Sequence, residues 1–222
     1  MKKTTLLEKT TAPDGSSVTL DEHDGRYTIR VNGLDLMSTR QHASEEKLAE
    51  IGCSGLLTKK NARVLIGGLG FGFTLRATLK SVAPDAKVVV AELLPAVVEW
   101  NRNPKYPLAA EPMADKRVEI VLKDVADIIA ESRAGFNAIL IDVDNGPAAL
   151  STHGNWRLYD ANGLKLIREA LRPQGCVAFW SSAQDPLFGK RFAGAGLKLE
   201  VVQTRAHTTS GGLHTLYIGR VN

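Results

Sequence analysis

Ala62-Arg-Val-Leu-Ile-Gly-Gly-Leu-Gly-Phe-Gly-Phe73 decides how this chain folds. Apolar residues run into Gly67, Gly68, Gly70 and Gly72, and a helix-like segment follows from Phe73. Glycines in such number add nothing to a core and cost backbone entropy on folding. At a strand end they let backbone approach a ligand closely. In an α/β sheet that place is the crevice beyond the carboxyl ends of the strands. The stretch therefore predicts a strand, a tight turn and a helix around a nucleotide-like molecule. A turn without a ligand is the plainer alternative, but one or two glycines suffice for a turn. Gly68-x-Gly70-x-Gly72 is not the dinucleotide spacing Gly-x-Gly-x-x-Gly, which argues against a nicotinamide or flavin.

From residue 63 onward strands and helices alternate. Strands are predicted at 63–66, 87–91, 118–122, 136–141, 176–180, 198–203 and 214–218. Helices are predicted at 73–81, 95–101, 125–132, 158–171 and 186–194. This alternation predicts a mostly parallel seven-stranded sheet with helices on both faces. The last connection is short, carries Gly211-Gly212 and has no helical pattern, so the final strand pair is expected to be antiparallel. Before residue 43 the pattern is β. Ser17–Asp21 and Arg26–Asn32 alternate apolar and polar residues, and Asp24-Gly25 and Asn32-Gly33 are turn signals. A small N-terminal β-sheet domain over 1–42 and a Rossmann-like domain over 43–222 are expected. Ser44 is expected to cap the helix that begins there, with Glu45 and Glu46 in its first turn.

Three strand ends carry acids. Glu92 closes the second strand at the spacing where a carboxylate holds ribose hydroxyls, although an exposed acid leading into a helix reads the same. Asp124 closes the third, placed to accept from an adenine amine or to cap the next helix. Asp142 closes the fourth and is the candidate for orienting or deprotonating an acceptor. Asp144 stands beside it in Asp144-Asn-Gly-Pro147, a turn signal, and its role is open.

In order, these pieces resemble the spermidine synthase (polyamine aminopropyltransferase) family within the class I S-adenosylmethionine-dependent methyltransferase superfamily. That family also begins with a small β-sheet, and then runs strand, Gly-rich loop, acidic ribose binder, Gly-Asp at adenine and Asp-x-x-Asp-Pro. The resemblance implies an S-adenosylmethionine or decarboxylated S-adenosylmethionine site. Gly68, Gly70, Gly72, Glu92, Leu93, Asp124 and Val125 would hold the cofactor, and Asp142 would act at the reacting group. It also implies a homodimer. Two departures stand out. Gly70 occupies the place of an Asp that holds the aminopropyl amine, and Asn145 that of the second acid. Losing the first favours intact S-adenosylmethionine and methyl transfer to a small-molecule nucleophile over aminopropyl transfer to an amine. An NAD(P)-dependent oxidoreductase and a non-catalytic adenosyl-binding module are the other readings. The family's Tyr-His-Glu segment has its nearest match in Arg40-Gln41-His42-Ala-Ser-Glu-Glu46, so Gln41 and His42 join Asp144 and Trp180 as acceptor-side candidates. Trp156 and Tyr159 are further candidate pocket walls.

Composition limits the partners. A net charge of +4 comes from scattered Lys and Arg, without the clustered face of a nucleic-acid binder. No apolar run approaches membrane-spanning length. Cys53 and Cys176 have no metal or disulfide spacing, so no metal is expected, and a reducing cytoplasmic setting is.

Overall fold

The computed structural model describes residues 3–143, 156–207 and 211–221. Four strands come first: β1 (Thr5–Thr11), β2 (Ser17–His23), β3 (Arg26–Val31) and β4 (Leu34–Ser38). They pair in that order as an antiparallel sheet. Its two tight turns rest on residues that tolerate the left-handed region. Asp24 and Gly25 have φ of 54° and 73°, and Asn32 and Gly33 of 50° and 81°. Two such residues in succession give a hairpin loop whose twist matches the strands.

The rest of the chain runs α1 (Ala43–Gly52), β5 (Arg63–Gly67), α2 (Phe73–Ser81), β6 (Lys87–Glu92), α3 (Pro95–Arg102), α4 (Ala110–Met113), β7 (Val118–Leu122) and α5 (Val125–Ala130). It continues with β8 (Phe136–Ile141), α6 (Trp156–Tyr159), α7 (Ala161–Ala170), β9 (Leu171–Ser181), α8 (Pro186–Gly194), β10 (Lys198–Arg205) and β11 (Leu213–Arg220). The seven later strands form one sheet in the order β10-β11-β9-β8-β5-β6-β7. Pairing is parallel from β9 to β7, and β11 is antiparallel to both its neighbours. This is the expected α/β fold with its antiparallel final pair.

Central strands are apolar throughout because both faces are covered. Val64, Ile66, Val88, Val90 and Leu140 pack with α1, α2 and α3 on one face. Leu65, Val89, Ile139 and Ile141 pack with α5, α7 and α8 on the other. Val18, Leu20 and Ile29 of the small sheet enter the first of these cores, so the two sheets share buried surface. The sheet order puts β5 between β6 and β8, and a crevice opens at their carboxyl ends.

Several expectations need correction. Ser44 does not cap α1: His42 holds the N-cap position, and Ser44 lies one residue inside the helix, fully buried. The helix expected over 158–171 is two. Asp160 interrupts it and accepts from the Gly163 N–H at 2.6 Å, starting α7 afresh. β9 begins at Leu171 rather than Cys176, with an irregular register against β8 and Gln174 in the left-handed region. β1 and α4 were not anticipated.

Candidate functional site

A cavity of about 410 Å³ opens at the carboxyl edge of the large sheet, roofed by the small one. That volume suits a ligand of drug or cofactor size. Gly68, Gly70, Glu92, Leu93, Asp124 and Val125 line one half of it. Gln41, Glu45, Asp142, Trp180 and His214 line the other, and Ala12–Asp14, Leu36 and Met37 belong to the roof.

The glycine loop has clear local reasons. Gly68 and Gly70 have φ of 89° and 50°. A Cβ at Gly68 would stand 2.3 Å from the backbone oxygen of Asp142, so the loop and the end of β8 touch through bare backbone. At Gly70 a Cβ would meet the Met37 thioether, 2.6 Å from its Sδ. The space of a side chain at 70 is thus filled from the small sheet. Asn101, buried on α3, donates to the carbonyls of Gly70 and Val97 at 2.8 Å and accepts from the Ala109 N–H at 3.1 Å. It pins the loop from behind, and nothing in the local pattern of α3 marks it for that task. Gly72 is not on the cavity wall. It precedes α2 with φ 72°, where a Cβ would strike that of Ala109.

Glu92 is 8% exposed, and its two oxygens accept from the Leu69 and Leu94 N–H groups at 2.9 Å. Burial pushes its carboxyl above the ordinary value, and these N–H groups hold it back. The N–H groups of Leu93 and Gly70 also face this carboxylate. Asp124 serves the fold directly. One oxygen accepts from the Ala126 N–H at 2.8 Å, capping α5, and the other takes Arg157 at 2.7 Å. Arg157 also reaches Asp127 at 2.9 Å.

Asp142 is delivered by β8 and accepts from the Thr74 hydroxyl at 2.6 Å. Across from it stands Glu45, 6% exposed. Burial first, and the neighbouring Asp142 charge second, push the Glu45 carboxyl up to about 8. Sequence reading saw Glu45 only as an acid near a helix start. The buried Ser44 and the facing β8 make it a site residue. His214 of β11 was likewise missed, because no partner is visible at any sequence spacing.

Other candidates lie elsewhere. His42 stacks on Phe73 with ring centroids 4.2 Å apart. Its Nδ1 is 3.2 Å from Glu46, close enough for an ion pair but not aligned as a hydrogen bond. It does not line the cavity. Tyr159 is core, packed on Phe179 and Phe188, and Trp156 is exposed. Asp144, Asn145, Gly146, Pro147 and His153 lie outside the described residues. Among the described residues no group of three or more His, Cys, Asp or Glu is arranged to hold a metal ion.

Comparison with known proteins follows the same lines. No family model matches the chain. It is 31% identical over 132 residues to a polyamine aminopropyltransferase of Saccharolobus solfataricus, covering 60% of this chain and 42% of that one. It is 28% identical over 196 residues to one from a Thermoanaerobacter species, covering 86% and 65%. In sequence the chain is thus similar to polyamine aminopropyltransferases. It spans less than two thirds of the length of these curated relatives. Putrescine N-methyltransferase 3 of Nicotiana tabacum is 33% identical over 118 residues, or 52% of this chain and 29% of that one. In fold, the chain superposes on the spermidine synthase of Thermotoga maritima with a TM-score of 0.76. That match is 20% identical and covers 98% of this chain and 73% of the other. A spermidine synthase in complex with the transition state analogue AdoDATO gives 0.75 at 19% identity, covering 98% and 72%. Both superpositions establish the class I methyltransferase-like fold.

Proposed function

We propose that this chain is an aminopropyltransferase, moving an aminopropyl group from decarboxylated S-adenosylmethionine to the amine of a small acceptor. The observation that carries this reading is the division of one cavity between two sets of carboxylates. Glu92 sits at the glycine loop, and Glu45 and Asp142 face each other on the far side. The bound donor supplies a carbon activated by its sulfonium. The chain supplies alignment and removal of a proton.

In this reading Glu92 takes the ribose hydroxyls, and the backbone at Gly68 and Gly70 lets the donor lie close. Leu93 and Val125 flank the adenine. Asp124 faces the adenine amine while it caps α5. Asp142 and Glu45 receive the acceptor ammonium. Two acids suit a cation there, because each ammonium that leaves water needs replacement partners. Asp142, held by Thr74, orients the acceptor beside Glu45, and loss of the acceptor's proton to Glu45 frees the nitrogen lone pair to attack. Gln41 and Trp180 complete the wall on that side.

Methyl transfer, the preference from sequence alone, is the second reading. It is favoured by the Met37 thioether over Gly70, where a carboxylate would otherwise meet an aminopropyl amine. It ranks second because the longer matches, over 196 and 132 residues, are to aminopropyltransferases, and the methyltransferase match spans 118. Mass spectrometry of putrescine incubated with the protein and each donor separates the two. An aminopropylated product from decarboxylated S-adenosylmethionine is expected. A methylated product formed only from S-adenosylmethionine would establish the second reading instead. No product from either donor would leave an adenosyl-binding module.

A further inference from the structure

The hydroxyl of Ser44 has three neighbours. It lies 2.5 Å from Glu45 Oε2, 3.0 Å from Trp180 Nε1 and 2.9 Å from His214 Nδ1. A serine hydroxyl has one proton to give and two lone pairs to offer. The indole N–H only donates, so one lone pair belongs to Trp180 in every state. What remains is one proton and one lone pair, to be divided between Glu45 and His214. Two arrangements that satisfy all the groups differ in where one proton sits. In one, Ser44 donates to an ionised Glu45 and accepts from His214 Nδ1–H. In the other, a protonated Glu45 donates to Ser44, and Ser44 donates to a bare His214 Nδ1.

Changing the second arrangement into the first carries a proton from Glu45 to His214. We propose that Glu45, Ser44 and His214 form a proton relay along the cavity wall, from the acceptor side to the half-buried His214 of β11, with Trp180 fixing the serine. This rests on the transferase reading. The acceptor ammonium gives its proton to the Glu45 carboxylate. The freed nitrogen lone pair forms the new N–C bond as the C–S bond breaks and its electrons return to sulfur. Glu45 passes a proton to Ser44, Ser44 passes its own to His214 Nδ1, and the imidazolium releases one to water. One proton leaves per turnover.

The setting supports such a path. Ser44 is fully buried and Glu45 nearly so, whereas His214 is half-buried at the cavity wall. Burial lowers the His214 imidazole below its ordinary value, so it gives up a proton readily once loaded. The charges acting on Glu45 are Asp142 from β8 and Glu46 from its own helix. Both are negative and favour proton uptake from the acceptor. The other titratable wall groups are Asp14, Glu92, Lys123 and Asp124, which belong to the roof and the glycine-loop half. His214 also packs edge-on against Trp180 at 4.6 Å, which keeps its ring in register with Ser44.

Nitrogen-15 NMR of the His214 ring tests the relay without turnover. The Nδ1-bare tautomer is expected where Glu45 holds its proton, and the Nδ1–H tautomer where Glu45 is ionised. The change should fall near pH 8 and disappear in Ser44→Ala. A single tautomer across that range in the wild type, or a change that survives in Ser44→Ala, would overturn the relay. With putrescine and decarboxylated S-adenosylmethionine as probes, His214→Gln keeps a hydrogen bond to Ser44 but carries no proton. It should lower kcat by about 100-fold and leave KM for putrescine unchanged. An unchanged kcat would also overturn the relay. If the wild type forms no product, the transferase reading falls and the tautomer measurement still decides the relay.

Discussion

Gly68 and Gly70 look alike in sequence and differ in what surrounds them. A methyl at 68 would press on the Asp142 backbone oxygen, which cannot move without shifting β8. A methyl at 70 would press on the end of Met37, a flexible side chain. Both positions also need positive φ, which strains any side chain. Gly68→Ala should therefore destabilise by about 3 kcal/mol and Gly70→Ala by about 1–2 kcal/mol, within the range for overpacked sites. Urea denaturation measures both, and equal losses would contradict the assigned neighbours. Glu45 makes a second residue-scale prediction. Its carboxyl titrates near 8 when folded and near the ordinary 4.5 when unfolded. Between those values the folded state holds the extra proton, so this group's stabilisation is present below 4.5 and is lost as pH rises through 8. Glu45→Gln removes that slope. The variant should gain Tm relative to wild type as pH goes from 6 to 9, and parallel curves would count against the assignment.

At the scale of elements, Asp124 shows how one residue fits two readings at once. Its capping of α5 is direct, through the Ala126 N–H. Asparagine caps about as well as aspartate, and alanine does not. Asp124→Ala should thus be about 1 kcal/mol less stable than Asp124→Asn in denaturant titration. If the two variants matched, the cap would contribute nothing. Elements with strong local grammar were legible: the two turns with paired left-handed residues, the buried parallel strands and the helix behind the glycine loop. β1 was not, because its side chains are mostly exposed and follow no clean alternation. The break at Asp160 was hidden because Leu158, Leu164 and Ile167 keep an apolar rhythm across it, and all three are buried. Acids at strand ends were legible because topology brings strand ends together. Glu45, Ser44 and His214 were not, because residues 170 apart meet only after α1 packs over β9 and β11.

For the whole molecule, the decisive fact is that one cavity has walls from both sheets. Ala12, Pro13, Asp14, Leu36 and Met37 close over Gly68, Glu92 and Asp142. A ligand bound there touches the small sheet as well as the large one, and binding energy stabilises every element whose opening would expel it. Addition of 5′-methylthioadenosine, the adenosyl product of aminopropyl transfer, should slow amide exchange at residues 12–16 and 34–38 as well as 68–72. Hydrogen-exchange mass spectrometry reads both regions in one experiment. Slowing confined to 68–72 would mean that the roof opens independently of an occupied site. Slowing in both would make the small sheet part of the binding machinery. The Met37 thioether over Gly70 would then be positioned to influence which ligand the cavity admits.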